Sequence, residues 1–191
     1  MRWLCLVFML CSCATAPDPD VMRAMLTPEQ VAQLRAPMIF VVAPTRRVAA
    51  TLVPVGQNGG VRTWQTRDGV QIATQNGLVI ASRGLGFDLM SADIGGTSAA
   101  LRGGPLRYTR LVTYLSGDAQ TIVVPQTCVM TAQGRQRHPA NGIPVKVFVE
   151  RCQTRDSFEN TYHIGPDGTL WWSRQWVSAG VGALEIERIR R

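Results

Sequence analysis

Short runs of alternating apolar and polar residues, rich in valine, isoleucine, threonine and aromatic side chains, recur along most of this chain. A period of two is typical of β-strands that bury one face. Dipeptides such as Asn58-Gly59, Asn76-Gly77 and Asp167-Gly168 separate the runs, and their tolerance of positive φ favours tight hairpins, hence antiparallel sheets. The predicted strands cover residues 38–42, 47–55, 61–66, 70–74, 78–83, 106–115, 121–131, 143–153, 158–164, 170–177 and 183–189.

Two segments depart from this pattern. Thr27-Pro28-Glu29-Gln30 has the residues of a capping box with proline at the first helical position, which predicts a short helix from Pro28 to about Arg35. Residues 84–104 are rich in glycine, alanine and serine, and we expect a short helical turn near residues 85–91 followed by a mobile loop. The predicted fold is therefore mainly β, with strongly coiled antiparallel sheets that are sandwich-like or half-barrel-like.

Composition narrows the class of protein. The 191 residues are 46% hydrophobic and 17% charged, which is too apolar for intrinsic disorder. The longest apolar run is shorter than the roughly 18 residues of a membrane-spanning helix. All basic residues except Lys146 are arginines, and the formal charge is +7. Such a surface suits anionic headgroups or an acidic polymer, unless it is simply a solvated basic face.

The N-terminus has the features of an export signal. Met1-Arg2 is basic, Trp3 to Leu10 is apolar, and Leu10-Cys11-Ser12-Cys13 resembles the lipobox of bacterial lipoproteins. We therefore expect residues 1–12 to be a signal peptide, 13–26 to be a lipidated tether that starts at Cys13, and 27–191 to be one mainly β domain. Cys11 is a competing acylation site, and an ordinary cleaved signal is the alternative. Ala14 after the cysteine favours sorting to the outer membrane.

Export leaves two cysteines in the predicted domain. Cys128 and Cys152 each lie within a predicted strand, and in an oxidising compartment they are expected to form a disulfide. Two buried free thiols are the alternative. The spacing is not that of a CxxC or zinc motif, so we predict neither a metal site nor a cofactor. Export also argues against nucleic acid as a partner.

Motifs of catalysis are missing from the sequence. We find no GxSxG, P-loop, HExxH or dinucleotide fingerprint, and the expectation is a protein that is not an enzyme, with no catalytic residues. The two histidines, His138 and His163, are far apart in sequence and are not expected to bind a metal.

One strand carries an aromatic and basic face. In residues 170–176, a period of two places Trp172, Arg174 and Trp176 together. On an exposed face, two indoles around a guanidinium would bind sugar rings and acidic substituents. The favoured alternative is that both tryptophans fill the core and that Arg174 stacks between them.

Several motifs together resemble a known family. They are Trp64-Gln65-Thr66-Arg67-Asp68-Gly69-Val70, then Gln75 to Leu85, Phe158-Glu159-Asn160-Thr161-Tyr162 and Ser173-Arg174-Gln175-Trp176-Val177. This chain resembles the YjbF/GfcB lipoproteins of exopolysaccharide and capsule production, although Ser178-Ala179-Gly180 replaces the usual Gly-Pro. The resemblance implies a periplasm-facing lipoprotein with a mostly antiparallel β fold. It implies no catalytic residue.

The leading hypothesis is a non-enzymatic accessory lipoprotein of exopolysaccharide or capsule production or secretion. We expect its N-terminal lipid to hold it to the outer membrane, where it would bind an acidic polysaccharide or an outer-membrane export protein. One alternative is a periplasmic carrier of lipid or lipoprotein with a concave sheet. Another is a polysaccharide-modifying hydrolase, which would need clustered carboxylates in a groove.

Overall fold

The computed structural model describes residues 18–139 and 141–190. In this part of the chain three α-helices are present: α1 (Pro19–Ala24), α2 (Pro28–Gln33) and α3 (Gly95–Leu101). The strands are β1 (Met38–Ala43), β2 (Val48–Asn58), β3 (Val61–Gln65), β4 (Gln71–Gln75), β5 (Leu78–Arg83), β6 (Leu89–Ala92), β7 (Arg107–Leu115), β8 (Thr121–Arg137), β9 (Pro144–Gln153), β10 (Ser157–Ile164), β11 (Leu170–Ser178) and β12 (Gly182–Arg190).

These strands form one antiparallel sheet that is almost closed. Their order is β5-β4-β3-β2-β1-β12-β11-β10-β9-β8-β7-β6, so each strand pairs with its chain neighbour except where β1 pairs with β12. The end strands β5 and β6 also pack against each other. The predicted mainly β antiparallel class is confirmed, and the sheet is continuous rather than divided into two layers.

The concave face of the sheet encloses the core. Its two apolar clusters are built mostly from alternate residues of the strands, as the period of two predicts. Leu52, Ile72 and Leu184 are each only 1% exposed. The larger cluster comprises Ile39, Val41, Ala43, Leu52, Trp64, Ile72, Val79, Leu89, Val112, Val177, Val181, Leu184 and Ile186.

The segment after β5 differs from its prediction. The helical turn expected near residues 85–91 is wrong, because Gly84 and Gly86 adopt φ of +87° and +86°, outside the helical region. A tight turn replaces it, and the Asp88 carboxylate accepts hydrogen bonds from Ser82 Oγ (2.8 Å), Gly84 N (2.9 Å) and Leu85 N (3.1 Å). Strand β6 follows this turn, and it was absent from the strands predicted from the sequence.

Helix α3 occupies part of the predicted mobile loop. Thr97 and Ala100 are buried on its inner side. Gly96 lies so close to the Tyr108 ring that a Cβ atom there would overlap it. The small residues that indicated a loop therefore allow a short helix to pack closely on β7.

Both N-terminal helices pack on the body. The predicted capping box of α2 is present, and the helix ends at Gln33, two residues before the predicted end. The described part of the expected tether instead forms α1. Arg23 Nε and Nη2 each lie 2.7 Å from a carboxylate oxygen of Glu187 on β12, and Arg190 Nη1 donates to the Ala32 carbonyl at 3.1 Å. No helix among the described residues has the length and apolar character needed to cross a membrane.

Candidate functional site

A cavity of about 820 Å³ opens at one end of the sheet. We call it the end cavity. Its volume falls within the range of about 300–1,000 Å³ that is typical of ligand pockets. The connections β5–β6, β7–β8, β9–β10 and β11–β12 surround it. Its apolar lining includes Phe87, Met90, Tyr114, Leu115, Val124, Phe158 and Trp176, and its charged lining includes Arg83, Asp88, Arg155 and Asp156.

An aromatic pair forms one wall of the end cavity. The rings of Phe158 and Trp176 are stacked, with centroids 5.3 Å apart and planes 14° from parallel. Strand β10 pairs with β11 as far as Thr161, which lies opposite Arg174. Beyond it, Asn160 Oδ1 accepts a hydrogen bond from Trp176 N at 2.6 Å, so a side chain satisfies the backbone donor where the two strands diverge.

The rim of the end cavity is held by backbone contacts. Ser178 Oγ donates to the Phe87 carbonyl at 2.6 Å, which ties the β5–β6 turn to the end of β11. A Cβ atom at Gly180 would overlap the Phe87 ring, so the close approach of the two turns requires glycine there. The Phe87 side chain therefore covers the backbone of the β11–β12 turn while most of its surface remains exposed.

A carboxylate lies completely buried on the concave face next to this cavity. Glu150 on β9 has no exposed surface, and four neutral donors reach its oxygens. Because a buried carboxylate is costly unless its oxygens are satisfied, this arrangement stabilises the charged form. The donors are Thr97 Oγ1 (2.7 Å), Asn160 Nδ2 (2.6 Å), Tyr162 OH (2.8 Å) and Tyr108 OH.

Arg110 connects this carboxylate to the cavity wall. Its Nη1 lies 3.6 Å from Glu150 Oε2, and its Nε donates to Gln126 Oε1 at 2.6 Å. The guanidinium carbon is 5.9 Å from the centroid of the Phe158 ring. Gln126 and Phe158 both line the end cavity, so the shape of that wall depends on the buried ion pair.

The electrostatics of this group do not suit acid–base chemistry. Burial raises the pKa of Glu150, but the charge of Arg110 and the hydrogen bonds from Tyr108, Asn160 and Thr97 outweigh it and hold that pKa below its usual range. Burial and the Glu150 charge raise the pKa of Tyr108 and of Tyr162. The carboxylate therefore stays ionised and the phenols stay neutral near neutral pH, which fits a structural role.

Cys128 and Cys152 lie next to Glu150 on the same face. The predicted disulfide between them is present, joining directly opposite residues of β8 and β9 whose Cα atoms are 4.1 Å apart. Among the described residues, these two cysteines and Glu150 form the one group of three whose ligand atoms lie close enough together to hold a metal ion. Because both sulfurs are bonded to each other, these atoms do not fit a metal. The predicted lipidation site, Cys13, and the signal peptide lie outside the described residues.

The aromatic and basic residues that the sequence groups on one face of β11 lie outside the core. Trp172 and Trp176 are partly buried and Arg174 is exposed, whereas Ser173 and Gln175 are buried. Trp172 and Arg174 lie on the convex side, and Trp176, at the end of β11 where β10 diverges, stacks on Phe158 at the edge of the end cavity. The favoured expectation that both tryptophans fill the core does not match this arrangement. The reason is Gln175, whose side chain accepts a hydrogen bond from Val79 N and donates one to the Gly77 carbonyl, both at 2.9 Å. These bonds turn the side of β11 that carries Ser173 and Gln175 toward the core.

The outward residues have partners of their own. Arg174 Nε lies 3.8 Å from Glu185 Oε1 on the neighbouring strand. The Trp172 ring lies 4.8 Å from the ring of His163, which in turn is 6.2 Å from the ring of His138. Sequence spacing did not indicate that these two histidines are close, because the contact depends on the register of β8, β9 and β10. Ligand binding by Trp172, Arg174 and Trp176 stays a prediction.

Comparisons with known proteins identify relatives of this fold. The crystal structure of the hypothetical lipoprotein YmcC from Escherichia coli K12 is similar to it, with a TM-score of 0.73 and 17% sequence identity over 93% of this chain and 98% of that chain. This identity shows the fold alone. A comparison with curated proteins finds no match.

A family model gives the classification. The model of the group 4 capsule polysaccharide lipoproteins GfcB and YjbF matches residues 19–189, which includes both N-terminal helices and all of the strands except Arg190, the last residue of β12. This family is named for lipoproteins of the cell envelope rather than for an enzyme activity, in agreement with the resemblance found in the sequence. Because the match extends over nearly the whole chain, this protein belongs to the YjbF/GfcB family of capsule polysaccharide lipoproteins.

Proposed function

We propose that this chain is a non-enzymatic accessory lipoprotein of capsule or exopolysaccharide production or secretion. It is anchored through Cys13 in the outer membrane and faces the periplasm. Membership of the capsule lipoprotein family supports the process, and the lipobox-like sequence around Cys13 supports the anchor. Its partner is the acidic polysaccharide itself, and the observation that carries this choice is the position of Trp172 and Arg174 outside the core, with the partly exposed Trp176 beside them at the edge of the end cavity.

These three residues form a convex aromatic strip. At about 3.3 Å per residue, Trp172 and Trp176 are about 13 Å apart along β11, with Arg174 between them. Contacts with His163 and Phe158 hold the two indoles in place before a ligand arrives. Preoriented rings bind the apolar faces of sugars at a low entropic cost, and a guanidinium binds carboxyl or phosphate substituents.

Replacing both Trp172 and Trp176 with alanine is expected to weaken binding of the capsule polysaccharide by about fivefold to 150-fold. Each lost ring contact is worth about 0.5–1.5 kcal/mol, and about 1.4 kcal/mol is a factor of ten in the dissociation constant. Calorimetric titration measures the affinity, and circular dichroism confirms that the variant is folded. Trp171→Ala is the matched control, because Trp171 lies outside the strip. Equal affinities of the folded double variant and the control would contradict polymer binding at the strip.

Replacing Cys13 with alanine tests the anchor in cells. The variant is expected to lose palmitate labelling, to leave the membrane fraction and to lower surface polysaccharide to the level of a deletion strain. Each additional methylene of an acyl chain contributes about 0.8 kcal/mol to membrane binding, so removing the lipid releases the protein. Cys11→Ala is the control and is expected to keep all three properties. Normal labelling and normal surface polysaccharide in Cys13→Ala would exclude this anchor.

The end cavity favours a second function, the binding of an apolar ligand as in a lipid carrier. Its aromatic wall and its volume of about 820 Å³ are suited to an elongated apolar group. This function and polymer binding share Trp176, because the convex strip ends at the edge of the end cavity.

A further inference from the structure

The described chain begins at the rim of the end cavity. The Asp18 carboxylate lies 3.9 Å from Arg47 Nη2, which places the start of α1 beside the turn that follows β1. The preceding residue of that turn, Arg46, donates from Nη2 to the Gly180 carbonyl at 3.1 Å. Gly180 lines the end cavity. The polypeptide therefore enters the folded body next to the cavity mouth.

The length of chain before Asp18 limits how the body can face a membrane. Cys13 precedes Asp18 by five residues, and at about 3.3–3.6 Å per residue this segment spans at most about 18 Å. The nine residues of β11 extend about 30 Å, or about 23 Å along the sheet axis if tilted by about 40°. With Cys13 in a bilayer, the opposite end of the sheet therefore cannot reach that bilayer, whereas the mouth, which lies next to Asp18, can reach it.

Apolar side chains are exposed at this mouth. Phe87, Met90 and Leu115 are 66%, 41% and 50% exposed, and all three line the end cavity. Exposed large apolar residues that occur together around a concavity mark an interaction surface. Arg155 and Asp156 lie beside each other on the same rim, so charges of both signs are present. Binding of a partner surface to the rim consequently depends more on apolar contact than on net charge.

We propose that the rim of the end cavity inserts into the membrane that anchors the chain, and that the cavity takes up an acyl chain of a membrane lipid. The proposal rests on anchoring through Cys13 and deepens the second function above. Phe87, Met90 and Leu115 enter the interface, and the acyl chain packs against the stacked Phe158 and Trp176. Binding is non-covalent. Insertion into the bilayer explains why these apolar side chains are exposed at the rim instead of being packed in the core.

Quenching of tryptophan fluorescence by brominated acyl chains tests this uptake. The mature, lipidated protein is reconstituted into phosphatidylcholine and phosphatidylglycerol vesicles, with and without lipids that carry bromine on the acyl chain. Bromine quenches tryptophans that it contacts, and Trp176 lines the cavity. We expect Trp176→Phe to lose at least half of the quenching seen in the unmodified protein. Trp171→Phe is the control, since Trp171 does not line the cavity, and it is expected to keep the quenching.

A second pair of variants tests the rim. Phe87→Ser combined with Met90→Ser is expected to reduce quenching at least threefold, and both positions are exposed enough for the variant to fold. Val55→Ser, at a valine that is 52% exposed on β2 and does not line the cavity, is the matched control and should leave quenching unchanged. Vesicle-bound protein whose quenching is the same in Trp176→Phe or in the rim variant overturns the proposal. This includes the case in which the protein's own acyl groups or a polymer fill the cavity.

Failure of the anchor gives a different result from failure of the uptake. Protein that does not sediment with the vesicles would show that Cys13 does not anchor the chain, and both proposals would then fall together. Protein that sediments, yet shows no quenching that depends on Trp176, would remove the uptake alone. Polysaccharide binding by the convex strip is measured without vesicles and is independent of either result.

Discussion

Replacing Glu150 with alanine is expected to lower the free energy of unfolding by about 3–5 kcal/mol, the cost of breaking a buried ion pair from one side. The change leaves the buried Arg110 guanidinium without its carboxylate, and it removes the acceptor of four donors, three of which belong to fully buried residues. Urea denaturation followed by tryptophan fluorescence measures this loss. Because Arg110 also contacts Gln126 and Phe158, the end cavity is expected to change shape as well.

An exposed ion pair provides the control for this prediction. Glu159 lies on β10 with an oxygen 3.0 Å from Arg151 Nη2, and the two side chains are 43% and 66% exposed. Since solvent screens such pairs, Glu159→Ala is expected to cost at most about 1 kcal/mol. A Glu150→Ala protein no less stable than Glu159→Ala would show that the buried carboxylate does not hold the concave face together.

Local sequence was sufficient to predict the strands. The hairpin at Asn76-Gly77 is typical, since both residues adopt positive φ, +53° and +85°, as an Asn-Gly turn requires. The alternation of apolar residues then identifies which positions share a face. Turn chemistry and period are properties of a few neighbouring residues, and each of the eleven predicted strands therefore corresponds to an observed one, within a few residues at most ends.

Features that depend on distant contacts were not predicted. The alternation in β11 grouped Trp172 with Arg174 and Trp176, but the side facing the core is decided by the bonds of Gln175 to Gly77 and Val79, about 100 residues away. Strand β6 has only four residues and an irregular register with β7, so it carries too little periodicity to be recognised.

The buried carboxylate network was missed for the same reason. Its donors come from α3, β7 and β10, and no spacing along the chain relates Thr97, Tyr108 and Asn160 to Glu150. The sequence did contain one indication of this network. Arg110 and Glu150 are charged residues at inward positions of their strands, where the alternating pattern predicts apolar residues. Two opposite charges at inward positions of different strands indicate a buried pair, although the sequence does not say which strands are close.

Removing the disulfide is the second large effect that we expect. Replacing Cys128 and Cys152 together with serine should lower the free energy of unfolding by about 3.5 kcal/mol, because the bond closes a loop of 24 residues and restricts the unfolded chain. Urea denaturation of the double variant, compared with the oxidised protein, measures this difference. The oxidised protein should also show the smaller dependence of unfolding free energy on urea, since its unfolded state exposes less surface.

Reduction of the unmodified protein controls for the serine substitutions. Both cysteines are buried, so two hydroxyl groups in their place add a cost of their own, whereas reduction alone breaks the cross-link without changing any residue. We expect the reduced protein to lose most of the same free energy. Equal stability of the reduced and oxidised proteins would refute the loop argument. Because Cys152 and Glu150 are neighbours on one face, the losses in a combined variant should not add.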